Sequence, residues 1–477
     1  MRYAHNRQVF SKYPGATRSG PNKAWNPQNK SEDAILAHDR PTLMARARDL
    51  ERGSPHISGA ISKICNNVVY TGIFPQARIK TTDGKLMHEE NSRIEGLHKE
   101  WAEHEWVDFH ATAELVLRHL WIDGEVLVHS WYDDDLLEQG LCPLAFDVLE
   151  SDYLDQHLNS SRLENGNIIK QGIEYNSKGR PVAYHLFKQH PGDAGPLGAM
   201  LTLERRRIPA DEICHIFFRK RASQGRGVSW LASIIIEMRD FSEYQSSERI
   251  AARLASAFGA FVESPYPEHQ MSHPLIGESQ EGLPSVGDIS KYFDPGRIDV
   301  LPPGMKINVA QYDRPGNSYE PYTKTSLKSA STGTGMSYEN FSNDYEGATY
   351  SSARQAILEE RRGYRKMQWF LVRNFLNWTW RKWTQHAHLA GNAGRMQKVP
   401  AKVSVQWQLP GWPWIDPAKD AKGAQIELEM KITNRRRLAA ERGLDWDEEL
   451  EELVEEEEIL RKENMADKED DNAPDNK

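Results

Sequence analysis

The stretch Gly335-Met336-Ser337-Tyr338-Glu339-Asn340-Phe341-Ser342-Asn343-Asp344-Tyr345, continuing to Tyr350-Ser351-Ser352-Ala353-Arg354, lies between two segments of helical pattern. Before it, Tyr319 to Ser331 reads as a short helix, followed by the Gly/Ser/Thr run Ser331-Thr332-Gly333-Thr334-Gly335. After it, Ser351 and Ser352 are helix N-cap residue types, because a hydroxyl there accepts from an otherwise unpaired backbone N–H. A long helix is predicted from Ser351 to about Leu389, aromatic along its second half (Trp369, Phe370, Phe375, Trp378, Trp380, Trp383). Between the helices a loop is expected, and Gly333 and Gly335 would let it change conformation cheaply.

Working outward, residues 1–30 are rich in Gly, Pro, Asn, Lys and Arg and read as a flexible arm. Helical periodicity follows through Leu36, Leu43, Ala47 and Leu50, again from Ser58 to Val69, and over Asn91 to His104 and Phe109 to Leu120. The period then shortens. Glu125 to Tyr132, Ala145 to Leu149, Ile168 to Tyr175, Val182 to Lys188 and Glu212 to Phe218 are strand-like, joined by turns such as Asn165-Gly166-Asn167. Helices followed by a run of short strands predict an α+β lobe. A helix of about 30 residues is expected from Ser229 to Val262, with Leu231, Ile234, Ile235, Met238, Phe241, Ile250, Leu254, Phe258 and Phe261 along its apolar stripe. Residues 263–316 collect prolines and glycines, one more strand is expected near Val403 to Trp407, and a last helical region ends in the acidic run Asp445 to Glu458.

At 477 residues the chain is long enough for two or more lobes. Its mean hydropathy of −0.70 is polar, but 14 Trp argue against wholesale disorder. Residues 435–477 carry 8 Lys/Arg against 17 Asp/Glu, a balance of −9 that equals the net charge of the whole chain, so residues 1–434 are neutral. That excludes the global basic signature by which sequence-independent DNA binders release counterions. Cys65, Cys142 and Cys214 are isolated, with no CxxC or Cys/His cluster, which argues against zinc and a disulfide framework. The first residues lack the apolar run of a signal peptide, and the most apolar stretch, Met367 to Trp383, carries Arg373, Arg381 and Lys382, so no membrane partner is expected.

Chemistry is sparse. Asp133-Asp134-Asp135 would suit Mg²⁺ by donor type, yet neighbours on an extended chain point to opposite faces, which favours a solvated turn. His129, His386 and His388 have no HExxH geometry around them, and no Walker A or GxSxG motif occurs. No catalytic residue, cofactor or metal is expected. Arg205-Arg206-Arg207 and Arg219-Lys220-Arg221 are phosphate-contact candidates or a rim that pairs with acidic surfaces.

Four segments in order over about 310 residues resemble the portal proteins of lambda-like tailed phages. They are Arg46-Ala47-Arg48-Asp49-Leu50 with the helix ending at Val69-Tyr70-Thr71-Gly72; Gln224-Gly225-Arg226-Gly227-Val228-Ser229-Trp230-Leu231; Tyr319-Glu320-Pro321-Tyr322; and the quoted stretch to Arg354. The resemblance implies a ring-forming portal fold. Its parts would be an arm (1–30), a wing of helices and a small α/β lobe (31–228), a first stem helix (229–262), a clip (263–316) and a second stem helix (317–334). A channel loop (335–350), a long helix with a wing and crown strand (351–415), a helical crown (416–465) and a disordered acidic tail (466–477) would complete it.

The resemblance further implies a non-enzymatic ring, expected to have twelve subunits, at one capsid vertex of the virion and assembled in the host cytoplasm. It would pass double-stranded DNA during packaging and ejection, dock the terminase large subunit and later the head-tail connector, and nucleate assembly with the major capsid protein and scaffold. Met336, Ser337, Tyr338, Asn340, Asn343, Asp344 and Tyr345 would face the channel, with Lys324 and Lys328 as sparse cations in a neutral to acidic lumen. Arg48, Asp49, Gln224, Arg226, Gly227, Tyr350, Ser351, Ser352 and Arg354 would be architectural. Deleting Ser337 to Asn343 is expected to spare ring formation and impair packaging. The rival readings are a Mg²⁺-dependent nuclease using Asp133 to Asp135 and an adaptor that binds a partner through its acidic C-terminal helix.

Overall fold

The computed structural model describes residues 16, 20–193, 204–257, 261–263, 306–308, 319–391, 396 and 398–470. Almost all of the expected arm, nearly all of the Pro-rich 263–316 segment and the end of the acidic tail lie outside the described residues. The chain divides into two compact units: Met1–Asp49, Ile61–Ala232 and Arg361–Lys477 form the first, Leu50–Ala60 and Ser233–Glu360 the second.

After a 3-10 turn at Gly20–Ala24 come two helices, α1 (Glu32–Gly53) and α2 (Pro55–Val68). Strand β1 (Phe74–Ala77), α3 (His88–Ala102) and α4 (Phe109–Ile122) follow. Asp108 caps α4 by accepting from Ala111 N. The sharp turn at Gly124, whose φ is +86°, launches β2 (Glu125–Tyr132). The first six residues of β2 are all buried, because the strand is central in its sheet and covered on both faces, which is why its sequence is a run rather than an alternation.

After β2 come a short helix α5 (Asp134–Glu138) and β3 (Leu144–Leu149). The segment expected as one strand from Ile168 to Tyr175 is a hairpin, β4 (Ile168–Lys170) and β5 (Ile173–Tyr175). Gln171 and Gly172 take positive φ between them, and a Cβ on Gly172 would lie 2.7 Å from the Asp155 carbonyl oxygen. Then come β6 (Pro181–Phe187), β7 (Arg205–Pro209) and β8 (Ile213–Phe217). Two antiparallel sheets result, of order β3-β2-β8 and β4-β5-β6-β7. Leu127, Ile173, Leu186 and Ile213 share one core with Tyr184 and Ile208.

The expected helix from Ser229 begins as a 3-10 turn, Trp230–Ser233, where the first unit ends, and α6 proper runs over Ile235–Ala257 in the second. Phe258 lies outside the described residues. Strands β9 (Phe261–Glu263) and β10 (Lys306–Asn308) pair antiparallel. Helix α7 spans Tyr319–Thr334, three residues further than the pattern predicted, and is followed by α8 (Tyr338–Ser342).

The long aromatic helix is α9 (Tyr350–Leu371), a π-helical turn at Val372–Leu376, and α10 (Asn377–Leu389). The π turn leaves the Asn374 carbonyl to accept from Cys214 Sγ at 3.0 Å. Its aromatic face is core: Trp383 and Phe375 are fully buried, and Trp101, Phe109 and Trp380 pack around His98. Strand β11 (Val405–Gln408) pairs with β1, joining chain positions over 300 apart. Helices α11 (Pro417–Glu429), α12 (Arg435–Glu441) and α13 (Trp446–Asp470) end the described chain. No described helix is long and apolar enough to cross a membrane.

Candidate functional site

The Gly335–Arg354 stretch is folded rather than loose. Gly335, at φ +76°, ends α7 by donating its N–H to Ser331 O at 3.0 Å, and Met336 N reaches the same carbonyl at 3.2 Å. Met336 is buried, so its side chain is not offered to solvent. Ser337 is the N-cap of α8, its Oγ accepting from Asn340 N at 3.2 Å, and Asn343 closes the helix at φ +58°. The Glu360 carboxylate accepts from Ser337 N through one oxygen and from Asn340 Nδ2 through the other. Tyr338 Oη donates to Asp344 Oδ2 at 2.7 Å, and Tyr345 Oη to Asn340 Oδ1 at 3.0 Å. Phe341 is buried with its ring 6.0 Å from that of His56.

Two expectations about this stretch are corrected. Gly333 sits inside α7, where an added Cβ would lie 2.3 Å from Ile234 Cγ2, so its smallness serves close packing. The long helix is capped by Thr349, not by Ser351 or Ser352: Thr349 Oγ1 accepts from Ser352 N at 3.2 Å and Ser352 Oγ from Thr349 N at 3.0 Å. Ser351 is an exposed first-turn residue, and Arg354 reaches Tyr350 Oη at 3.4 Å. Finally, α8 depends on Phe341 and Glu360, so deleting Ser337 to Asn343 removes core as well as surface.

Beyond Asp344, which is half-buried, the stretch offers Asn343, Tyr345, Glu346, Thr349, Tyr350, Ser351 and Ser352 to solvent. The two candidate cations are engaged: Lys324 Nζ lies 2.6 Å from Glu320 and 3.4 Å from Glu346, and Lys328 Nζ stands 5.4 Å over the Tyr338 ring. The outer surface is therefore polar, with two tyrosines on it, and close to neutral.

In the first unit the Gln224–Ser229 turn closes over a buried ion cluster. Glu125 is fully buried. It accepts from Arg226 Nε at 2.9 Å and Nη2 at 2.5 Å, from Arg40 Nη2 at 2.7 Å, and from Gly227 N, and it lies 3.2 Å from His215 Nε2. Burial alone would raise its carboxyl pKa, but Arg226, Arg40 and the His215 contact outweigh it and hold the group well below the usual carboxylate range. Gln224 pins the turn from inside, accepting from Lys220 N at 2.7 Å and donating to Arg226 O at 2.8 Å. Gly227 is required: a Cβ there would lie 2.2 Å from Gly124 O. Arg48 bridges Asp123 at 2.7 Å, Asp152 at 2.6 Å and Glu150 at 3.0 Å, whereas Asp49 is exposed and outside this set. Sequence reasoning missed Glu125, Arg40 and His215. The one local signal was an acid following Gly124 at the head of an apolar strand.

Several of the other chemistry-bearing groups are engaged within the fold. Asp133 caps α5 by accepting from Asp135 N at 3.0 Å, so the three aspartates do not converge. His129 lies 3.6 Å from Asp147 and 3.7 Å from Glu212; His386 and His388 each bond a backbone carbonyl. Arg205 pairs with Asp155 and Arg207 with Glu174, while Arg219 and Lys220 lie over Phe217 and Trp230. Among the described residues Glu150, Asp152 and His190 are close enough for a metal, but the Arg48 guanidinium already stands against both carboxylates.

Comparison with known proteins agrees with the resemblance in the motifs. A family described as "Phage portal protein, lambda family" matches residues 18–368. The "Probable portal protein" of Halomonas phage phiHAP-1 is 28% identical over 444 residues, covering 90% of this chain and 82% of the relative. "Portal protein B" of Escherichia phage lambda is 22% identical over 475 residues, covering 91% and 86%. Among solved structures, "Neck of empty GTA particle computed with C6 symmetry" aligns at a TM-score of 0.41 and 12% identity over 85% of this chain and 94% of that one. At that score the alignment bears on neither assembly nor symmetry.

Proposed function

This chain belongs to the lambda family of phage portal proteins, and we propose that it forms a closed ring at one capsid vertex through which double-stranded DNA enters and leaves the head. The family match over residues 18–368 carries this reading. The neutral body of the chain supports it: phosphate contacts by many cations release counterions and hold DNA, whereas a conduit must let it slide. A ring of identical subunits needs a heterologous contact, with one face of each copy meeting the opposite face of the next. The expected count is twelve.

In this reading the Gly335–Arg354 stretch is a firm guide on the channel wall, with Tyr345 and Tyr350 among its exposed side chains. Firmness suits the role, since a wall that must not grip is served by a surface of fixed shape and balanced charge. Docking of the terminase large subunit and head-tail connector, and nucleation of the shell with the major capsid protein and scaffold, belong to the same proposal. No catalytic step is assigned to the chain.

Electron microscopy of the purified full-length chain tests it. Rings with a central hole are expected. A monomer that cleaves duplex DNA with Mg²⁺, and loses cleavage on Asp134→Ala, would establish the nuclease reading instead.

A further inference from the structure

We infer that the cavity where the two sheets of the first unit meet the end of α9 is a binding site for a nucleoside monophosphate, with the base on its aromatic floor and the phosphate at a cationic mouth. The site is independent of the ring reading above.

The cavity measures about 600 Å³, within the range of about 300–1,000 Å³ typical of small-molecule sites. Both sheets and the long helix supply its lining. Tyr175 ends β5, Tyr184 stands in β6, His215 and Phe217 stand in β8, and Phe370 and Asn374 come from α9 and the π turn after it. Phe218 stacks on Phe370 with ring centroids 3.9 Å apart, which fixes one aromatic wall. The π turn is a separate mark of a site, since such turns are rare in helices and frequent where function is placed.

Two polar groups on the floor lack a partner. Tyr184 is only 4% exposed, yet among the described residues its Oη has no hydrogen bond. A buried phenol usually has one, because leaving it unpaired costs free energy. Burial raises its pKa, so the group stays a donor. The His215 ring, its side chain 4% exposed, lies edge-on to Tyr184 with centroids 5.6 Å apart. Its Nε2 is 3.2 Å from Glu125 Oε2, and an ionised carboxylate only accepts, so Nε2 carries the proton. Burial keeps the ring neutral, which leaves Nδ1 as an acceptor with no partner among the described residues. A donor beside an acceptor complements the edge of a nucleobase, such as the amino group and N7 of adenine.

The mouth is cationic. Arg219 and Lys366 are exposed, neither is in an ion pair among the described residues, and no carboxylate belongs to the lining. Two carboxylates act on the tyrosines from outside it, and both are already bonded: Asp33 to Gly225 N at 2.6 Å, and Glu125 to Arg226 and Arg40. The mouth therefore selects an anion, and arginine with lysine is a phosphate-binding pair. The rings select a flat π face, on which any base can stack. The floor selects an edge with one donor and one acceptor. A nucleoside monophosphate meets all three demands, whereas an inorganic anion meets only the first.

Calorimetric titration of the full-length chain tests the site with adenosine 5′-monophosphate, adenosine and ribose 5-phosphate. The monophosphate is expected to bind, and each fragment to bind at least tenfold more weakly. Tyr184→Phe keeps the ring and removes the hydroxyl; Arg219→Glu with Lys366→Glu reverses the mouth. Each variant should weaken the monophosphate at least tenfold while its thermal melt stays native. A 5′-phosphorylated oligodeoxyadenylate that displaces the monophosphate would support the site with a strand end as its source, and failure to displace it would support it with the free nucleotide. No binding of the monophosphate at millimolar concentration would overturn the site. So would ribose 5-phosphate binding as tightly as the monophosphate, since the mouth would then collect any anion, or affinity unchanged in both variants.

Discussion

Glu360 reaches back across twenty residues to hold Asn340: its Oε2 accepts from Asn340 Nδ2 while Oε1 accepts from Ser337 N. One buried carboxylate in α9 thus fixes both the start of α8 and a side chain within it. Glu360→Ala strands two donors, and a buried polar group that loses its partner costs about 1–3 kcal/mol. Hydrogen exchange should show amides 337–341 exchanging faster, with the first unit unchanged. Unaltered exchange there would mean that α8 is held by Phe341 alone.

Arg226 and Glu125 are the most consequential pair in the first unit, since both are buried and joined by two guanidinium nitrogens. Arg226→Ala leaves the buried Glu125 with Arg40 as its remaining arginine and strips two of its donors, and should cost about 3 kcal/mol. Arg226→Lys should rescue little, because an ammonium cannot present the planar fork. Arg207→Ala, where a half-exposed guanidinium meets the buried Glu174 carboxylate that Asn165 and Asn167 also hold, should cost less, about 1–3 kcal/mol. Thermal melts of the three variants give the order directly.

Gly227→Ala should prevent the Gln224–Ser229 turn from closing, because the new methyl would meet the Gly124 carbonyl. Gly335→Ala has open space around it and should cost only the left-handed backbone penalty, about 1–2 kcal/mol. Comparable soluble yield and melting for the two variants would contradict the close approach.

Acid should unfold the first unit early. His98 is completely buried, and burial pushes its pKa down to about 3. The unfolded chain takes that proton near pH 6.5, so it binds more protons than the folded one and stability falls as pH drops from about 6.5 toward 3. Glu125, held low by its two arginines once their attraction outweighs burial, adds loss in the same direction. Melting temperatures across about pH 4–7 should decline toward acid, and less steeply in His98→Leu than in the native chain.

Tyr345 is more than half exposed, so Tyr345→Ala should leave folding and ring formation intact. Under the channel reading it should reduce packaged DNA in particles. It is a cleaner probe than deleting Ser337 to Asn343, which takes Phe341 out of the core.

The helices from Phe109 and Tyr319, the strand at Glu125 and the aromatic helix up to Leu389 were all legible in the sequence, as were the family motifs. Such features are local: periodicity and capping depend on residues three or four apart, so a short window contains the information. Even so, the cap at Thr349 was misplaced by two or three residues, because Thr and Ser hydroxyls can both cap and only geometry chooses among neighbouring ones. Gly333 was read as a hinge because a lone glycine does not reveal whether freedom or closeness is required; Ile234 decides for closeness.

By itself, then, the sequence determined the element types, the neutral body with its acidic end, and membership of the portal family. The tertiary structure alone decided which charges meet. Arg40, Glu125, His215 and Arg226 converge from four separated segments, and Glu360 finds Ser337. No periodicity encodes such meetings, because they depend on where the chain returns. In a buried, low-dielectric setting each charge must find its partner or lose several kcal/mol, on the order of the protein's whole stability.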